Sequence, residues 1–120
     1  MKNVLSILKT MPEYNMLLSS LSNRECAAVT GIAQINRSHL IAALRQDTSA
    51  PIVVLCQDDM AARRLQQELK AFLGFDPQVL PSRELTLYDA AVVSRAWEQK
   101  RLRQLYDLKS GITPSTAIMT

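Results

Sequence analysis

Ile52-Val53-Val54-Leu55-Cys56 is the stretch that most restricts the folds open to this chain. An unbroken apolar run rich in β-branched side chains suits a strand. Because no polar residue alternates with the apolar ones, both faces of that strand are expected to be covered, as in a parallel sheet between layers of helix. The acidic pair Asp58-Asp59 just after it offers a helix N-cap, a cheaper explanation than a metal site. Ala61, Leu65, Leu69 and Phe72 then hold one apolar face through a helix that Gly74 closes. The outer residues Arg63, Arg64, Gln67, Glu68 and Lys70 read as a solvated face.

The same alternation extends in both directions. Val4, Leu5 and Leu8, then Tyr14, Leu17, Leu18 and Leu21, lie at helical spacing interrupted at Met11-Pro12, which predicts two short helices. Cys26 to Thr30 reads as a first strand and about Ser38 to Gln46 as the helix after it. Gln78-Val79-Leu80 is a short third strand, and Ser82 to Ala90 a loop long enough to be a feature. A helix from about Val92 to Leu108 is expected to turn Val93, Trp97, Leu102, Leu105 and Leu108 inward, with Arg95, Lys100, Arg101, Arg103 and Lys109 largely outward or at its margins. Thr116 to Thr120 completes the set as a fourth strand. Strands separated by helices imply an α/β domain with a parallel sheet and flanking helices. The expected organisation is a helical extension over 1–23 and one domain over 24–120, truncated after its fourth strand. Such a truncation leaves sheet edge or apolar surface open, so self-association is expected.

Between the first strand and its helix, Gly31 to Ser38 has the spacing of a phosphate-cradling loop, G-x-x-x-x-G-K-[ST]. Asn36 stands where the second glycine belongs and Arg37 where the lysine belongs. Such a loop aims backbone N–H groups and a helix N-terminus at phosphate oxygens. Asn36 puts a side chain into that space, and Arg37 replaces a compact ammonium with a planar fork. Ser38 keeps a hydroxyl that can cap a helix or face a metal. On this window alone an ordinary strand-to-helix turn, with Ser38 or Asn36 as N-cap, is the favoured explanation, since motif matches of this kind are often false.

The remaining residues offer little chemistry. His39 is the only histidine and has no nucleophile beside it in sequence, and Glu84 and Asp89 make no acid/base pair. Neither a catalytic residue, nor a cofactor, nor a metal ligand is expected, and the chain reads as non-enzymatic. The net charge of +3 is too small to argue for nucleic acid by itself. Cations on the long helix alternate with Glu98 and Asp107, and the scattered aromatics build no stacking platform, so DNA binding is expected to be weak or absent. Cys26 and Cys56 lack metal-ligand spacing and read as buried free thiols. No run is long enough to span a membrane and no secretory leader is evident, which places the chain in the cytoplasm.

Taken together, several of these segments resemble one family. The order Thr30-Gly31, the degenerate loop, Ile41-Ala42-Ala43-Leu44, Pro51-Ile52-Val53-Val54-Leu55 and Ala61-Ala62-Arg63-Arg64-Leu65 is similar to the N-terminal, UvrB-like module of bacterial transcription-repair coupling factors, the Mfd family. Pro81, Glu84, Tyr88 and Asp89 match the spacing of that family's P-x-x-E-x-x-x-Y-D segment. Arg101-Leu102 with Leu105-Tyr106 resembles the helix after it, and Pro12-Glu13 with Leu17-Leu18 fits the family's first helices. The resemblance implies a helicase-like P-loop NTPase fold whose phosphate loop, Gly31, Asn36, Arg37 and Ser38, has decayed. It implies a non-catalytic scaffold within a protein of transcription-coupled nucleotide excision repair. The complete family protein is an ATP-dependent DNA translocase that meets UvrA and RNA polymerase through parts absent from this sequence. The alternative is a nucleotide- or DNA-binding domain that retains weak phosphate binding.

Overall fold

A short helix, α1 (Lys2–Ser6), runs into a 3-10 turn at Ile7–Thr10, and helix resumes as α2 (Pro12–Ser22), where proline's missing N–H costs nothing in the first turn. In this computed structural model the described residues are 2–80, 95–111 and 116–119. They belong to two units, Met1–Ser49 and Ala50–Thr120. The boundary falls inside the segment 24–120 that the sequence reading takes as one domain.

The end of α2 is a Schellman motif: the Arg24 N–H donates to the Leu21 carbonyl at 3.1 Å and the Glu25 N–H to the Ser20 carbonyl at 2.9 Å. The left-handed residue that this motif requires is Arg24, at φ 60°, in the place where glycine is usual. After a segment without regular secondary structure, α3 (Gln34–Asp47) completes the first unit and packs against α1. Leu5, Tyr14, Ala42 and Ala43 are buried there, the small alanines letting helix backbones approach. A polar clamp joins the pieces. The Tyr14 hydroxyl donates to Asp47 Oδ2 at 2.9 Å, and Lys9 Nζ lies 2.6 Å from Asp47 Oδ1.

The second unit begins with β1 (Ile52–Leu55) and continues through α4 (Asp59–Leu73), β2 (Gln78–Leu80), α5 (Arg95–Ser110) and β3 (Thr116–Met119). Its three strands pair in the order β1-β3-β2, all parallel, with Ile52 opposite Thr116 and Gln78 opposite Ala117. α4 packs on β2 and β3, burying Ala62 and Leu69 beside Leu80 and Ile118. Its ends follow the sequence closely: the Asp58 carboxylate accepts the Ala61 N–H at 2.7 Å, and Gly74 closes the helix at φ 76°. α5 meets β2.

The expected P-loop-type α/β class does not hold. Helix dominates the described residues, and the strand that such a fold places before its phosphate loop is not formed. Residues 26–30 have no regular secondary structure and enter no ladder, because their own unit supplies only helices and a strand exists only by pairing. The four expected strands are therefore three, each of three or four residues.

Further corrections concern burial. One face of β1 is open, so its exposure alternates, with Val53 54% and Leu55 79% exposed, where an unbroken apolar run implies cover on both faces. Within α5, Leu102 and Leu105 face outward instead of inward. Cys26 is exposed and Cys56 half-buried, so neither is the buried thiol expected, although both are free. The side chain of Trp97, and Val93, lie outside what is described. So do Pro81, Glu84, Tyr88 and Asp89, the family-like loop. Among the described residues no helix is long and apolar enough to cross a membrane.

Candidate functional site

Helix α3 starts at Gln34, only three positions after Gly31, and this decides what the Gly31 to Ser38 window can do. No glycine at 36 interrupts the helix, so it grows back toward the N-terminus through Asn36, Arg37 and Ser38. The expected loop shrinks to Gly31, at φ 79°, with Ile32 and Ala33. Ala33 is the N-cap, in place of the expected Ser38 or Asn36, and it has no side-chain group to satisfy the first amides.

Each of the four loop residues thus has a different fate. Gly31 stays in the loop. The Asn36 N–H donates to the Ala33 carbonyl at 2.9 Å and is consumed by the helix, not presented to an anion. Arg37 is exposed. Ser38 is buried, with its hydroxyl 3.4 Å from the Ile35 carbonyl of its own helix, a long bond that nevertheless turns the oxygen inward. A phosphate loop needs an arch of free N–H groups with a cation and a hydroxyl converging on it; here those parts point in separate directions.

Gly31 and Asn36 instead line the wall of a cleft within the first unit. Its volume is about 820 Å³, and the segment Ala27–Ala33 forms one side against Leu8, Met11, Met16 and Leu17 on the other. Sizes of about 300–1,000 Å³ are usual for ligand pockets. The lining is dominated by aliphatic carbon and methionine, with Glu13, Asn36 and His39 as the principal polar side chains at its margin. Methionine at such a surface adapts to different apolar shapes. Met16 and Val29 are both open to solvent.

Two polar side chains of the cleft, His39 and Tyr14, are engaged in holding the unit together. His39 Nε2 lies 3.0 Å from the Val4 carbonyl; a carbonyl only accepts, so Nε2 carries the proton and ties α3 to α1. Burial raises the pKa of the Tyr14 phenol well above its ordinary value, and its bond to Asp47 and the charge there raise it further. The phenol is a fixed donor to Asp47 across the working pH range.

Sequence reasoning missed this cleft. Met11, Met16, Leu17 and Val29 were legible as apolar, but only the path of residues 27–33 outside any sheet makes them line a cavity. The Tyr14–Asp47 bond had no local signal at all, since its partners are 33 positions apart. Asp58 and Asp59 are not brought together with other ligands: Asp58 caps α4, and among the described residues no group of three His, Cys, Asp or Glu side chains is placed to hold a metal ion. Compared with protein-family models, curated proteins and solved structures, the chain matches none.

Proposed function

We propose that the chain is a non-catalytic protein-interaction module that serves transcription-coupled nucleotide excision repair as the N-terminal part of a transcription-repair coupling factor. Two things support the reading. The motif order from Thr30-Gly31 through Arg63-Arg64-Leu65 resembles that family's N-terminal module. The single structural observation that carries the interaction role is the cleft of the first unit, whose wall includes Leu8, Met11, Met16, Leu17 and Val29, a surface suited to apolar groups of a protein ligand.

The test is replacement. In a bacterium whose coupling factor has its own N-terminal module exchanged for this chain, preferential repair of ultraviolet lesions in the transcribed strand is expected to persist. It is expected to fall when Met16→Glu and Val29→Glu place charge in the cleft. Loss of strand preference with the unmodified chain, at normal levels of the fusion protein, refutes the repair assignment. Full activity of the charged double variant refutes the role of the cleft.

A further inference from the structure

Helix α5 turns three of its apolar residues, Leu102, Leu105 and Tyr106, to solvent, while Leu108 is half-buried on the other side. On a helical wheel Arg95, Glu98, Gln99, Leu102, Leu105, Tyr106 and Lys109 fall on one face, and every one of them is exposed. Leu102 is 65% and Tyr106 64% exposed, while Arg101, Gln104 and Asp107 on the other side are half-buried. The exposed face has an apolar centre, Leu102, Leu105 and Tyr106, with Arg95 at one end, Lys109 at the other and Arg103 along one flank. An apolar centre with a charged rim is the anatomy of a protein interface, and tyrosine is enriched at such centres.

We infer that this face of α5 is a docking surface for an acidic amphipathic helix of a partner protein. Charge selects that occupant. The rim holds three exposed cations against Glu98 as its one exposed anion, Asp107 on the Arg103 flank being half-buried, and among the described residues none of the three cations is in an ion pair. A second copy of this chain fits poorly: antiparallel pairing centred on Leu102 sets Arg95 against the other copy's Lys109, and parallel pairing sets each cation against itself. A polyanion such as duplex DNA would leave the Leu102–Tyr106 centre pressed against phosphate, with Glu98 between the cations. A helix with leucine-like residues at i, i+3, i+4 and i+7 covers the centre, while its flanking carboxylates reach Arg95, Arg103 and Lys109. The stripe extends about 21 Å at 1.5 Å per residue, enough for roughly four turns of a partner.

The probe is a fluorescein-labelled synthetic helix of about 18 residues, long enough to be helical, with leucine at those four spacings and glutamate beside them. Its anisotropy is read against the full chain. Saturable binding at or below about 100 μM is expected. It should weaken about tenfold with Leu102→Gln, and by a similar factor when lysine replaces each glutamate of the peptide. The variant Arg95→Glu with Lys109→Glu should reverse the preference and bind the lysine peptide, a gain that a merely unfolded variant does not produce. Absence of saturable binding to the acidic peptide overturns the proposal. So does equal binding of the two peptides, or tighter binding to a duplex of about 20 base pairs or to phosphatidylserine vesicles than to the acidic peptide.

Discussion

Replacing Arg24 by glycine should make the first unit more stable, although it deletes a charged side chain and adds no contact. Arg24 occupies the left-handed position of the Schellman motif, at φ 60°. For an L residue that conformation costs about 1–2 kcal/mol through the approach of Cβ to the backbone. Glycine escapes that cost but loses about 0.5–1 kcal/mol more backbone freedom on folding. The difference leaves a stabilisation of about 0.5–1 kcal/mol. The motif's bonds, Arg24 N–H to Leu21 and Glu25 N–H to Ser20, use only main chain and survive the change. Amide hydrogen exchange over α2 is the suitable assay, because it reads this helix separately from the second unit. At 1.4 kcal/mol per tenfold, exchange of the protected α2 amides should slow by about two- to fivefold. Arg24→Ala is the control: it removes the same charge but keeps Cβ, and should leave the rates close to those of the parent. Equal slowing in the alanine and glycine variants would show that the side chain, not the backbone, carries the cost, and the argument would fail.

Further outcomes follow from the same geometry. Tyr14→Phe removes a hydrogen bond to a carboxylate and should destabilise the first unit by about 1.5–3 kcal/mol, measured by chemical denaturation. The pKa of the phenol is higher folded than unfolded, so its contribution is complete below the ordinary value of 10.0 and declines as pH rises above it toward the folded value; the alkaline loss of stability should be shallower in Tyr14→Phe. Asp58→Ala leaves the Ala61 N–H without its acceptor and should cost about 1 kcal/mol, seen as a lower denaturation midpoint of the second unit. Calorimetry with Mg-ATP should detect no saturable binding tighter than about 100 μM; binding that vanishes in Arg37→Ala would show that the window still holds phosphate. Cys26, being exposed, should be alkylated before Cys56, whose thiol is pushed up by burial and then by the charge of Asp58. Mass spectrometry of a brief iodoacetamide reaction gives the order.

Local signals proved legible where local chemistry decides the outcome. Pro12 marks the start of α2, Asp58 and Gly74 bound α4, and Gln78-Val79-Leu80 forms a strand where short-range pattern places one. What could not be read was partnership. Cys26 to Thr30 has strand-like composition, but a strand is a relation between two backbones, and its unit holds no other. The β1 run promises burial on both faces, and nothing in it reveals that the face bearing Val53 and Leu55 is left uncovered. At Asn36 the missing glycine implies a side chain intruding on phosphate, whereas its larger effect is that helix runs through the window from Gln34. Arg24 carried no warning, since a Schellman motif announces itself by glycine and here has none.

The sheet order also dictates a sequence of events during synthesis. β1 and β2 pair with β3 and not with each other, so the middle of the sheet is the last of the three strands to be made. While the chain grows from the ribosome, α3 can pack on α1 as soon as residues 2–47 are out. By contrast, Ile52–Leu55 and Gln78–Leu80 must wait as unpaired segments until Thr116–Met119 emerges. Neither strand can pair with β3 in the interval, and that pairing joins segments distant in sequence, at a cost in loop entropy. The nascent second unit therefore exposes its most apolar run, Ile52 to Cys56, for the longest time, and that is the segment a ribosome-bound chaperone would meet first.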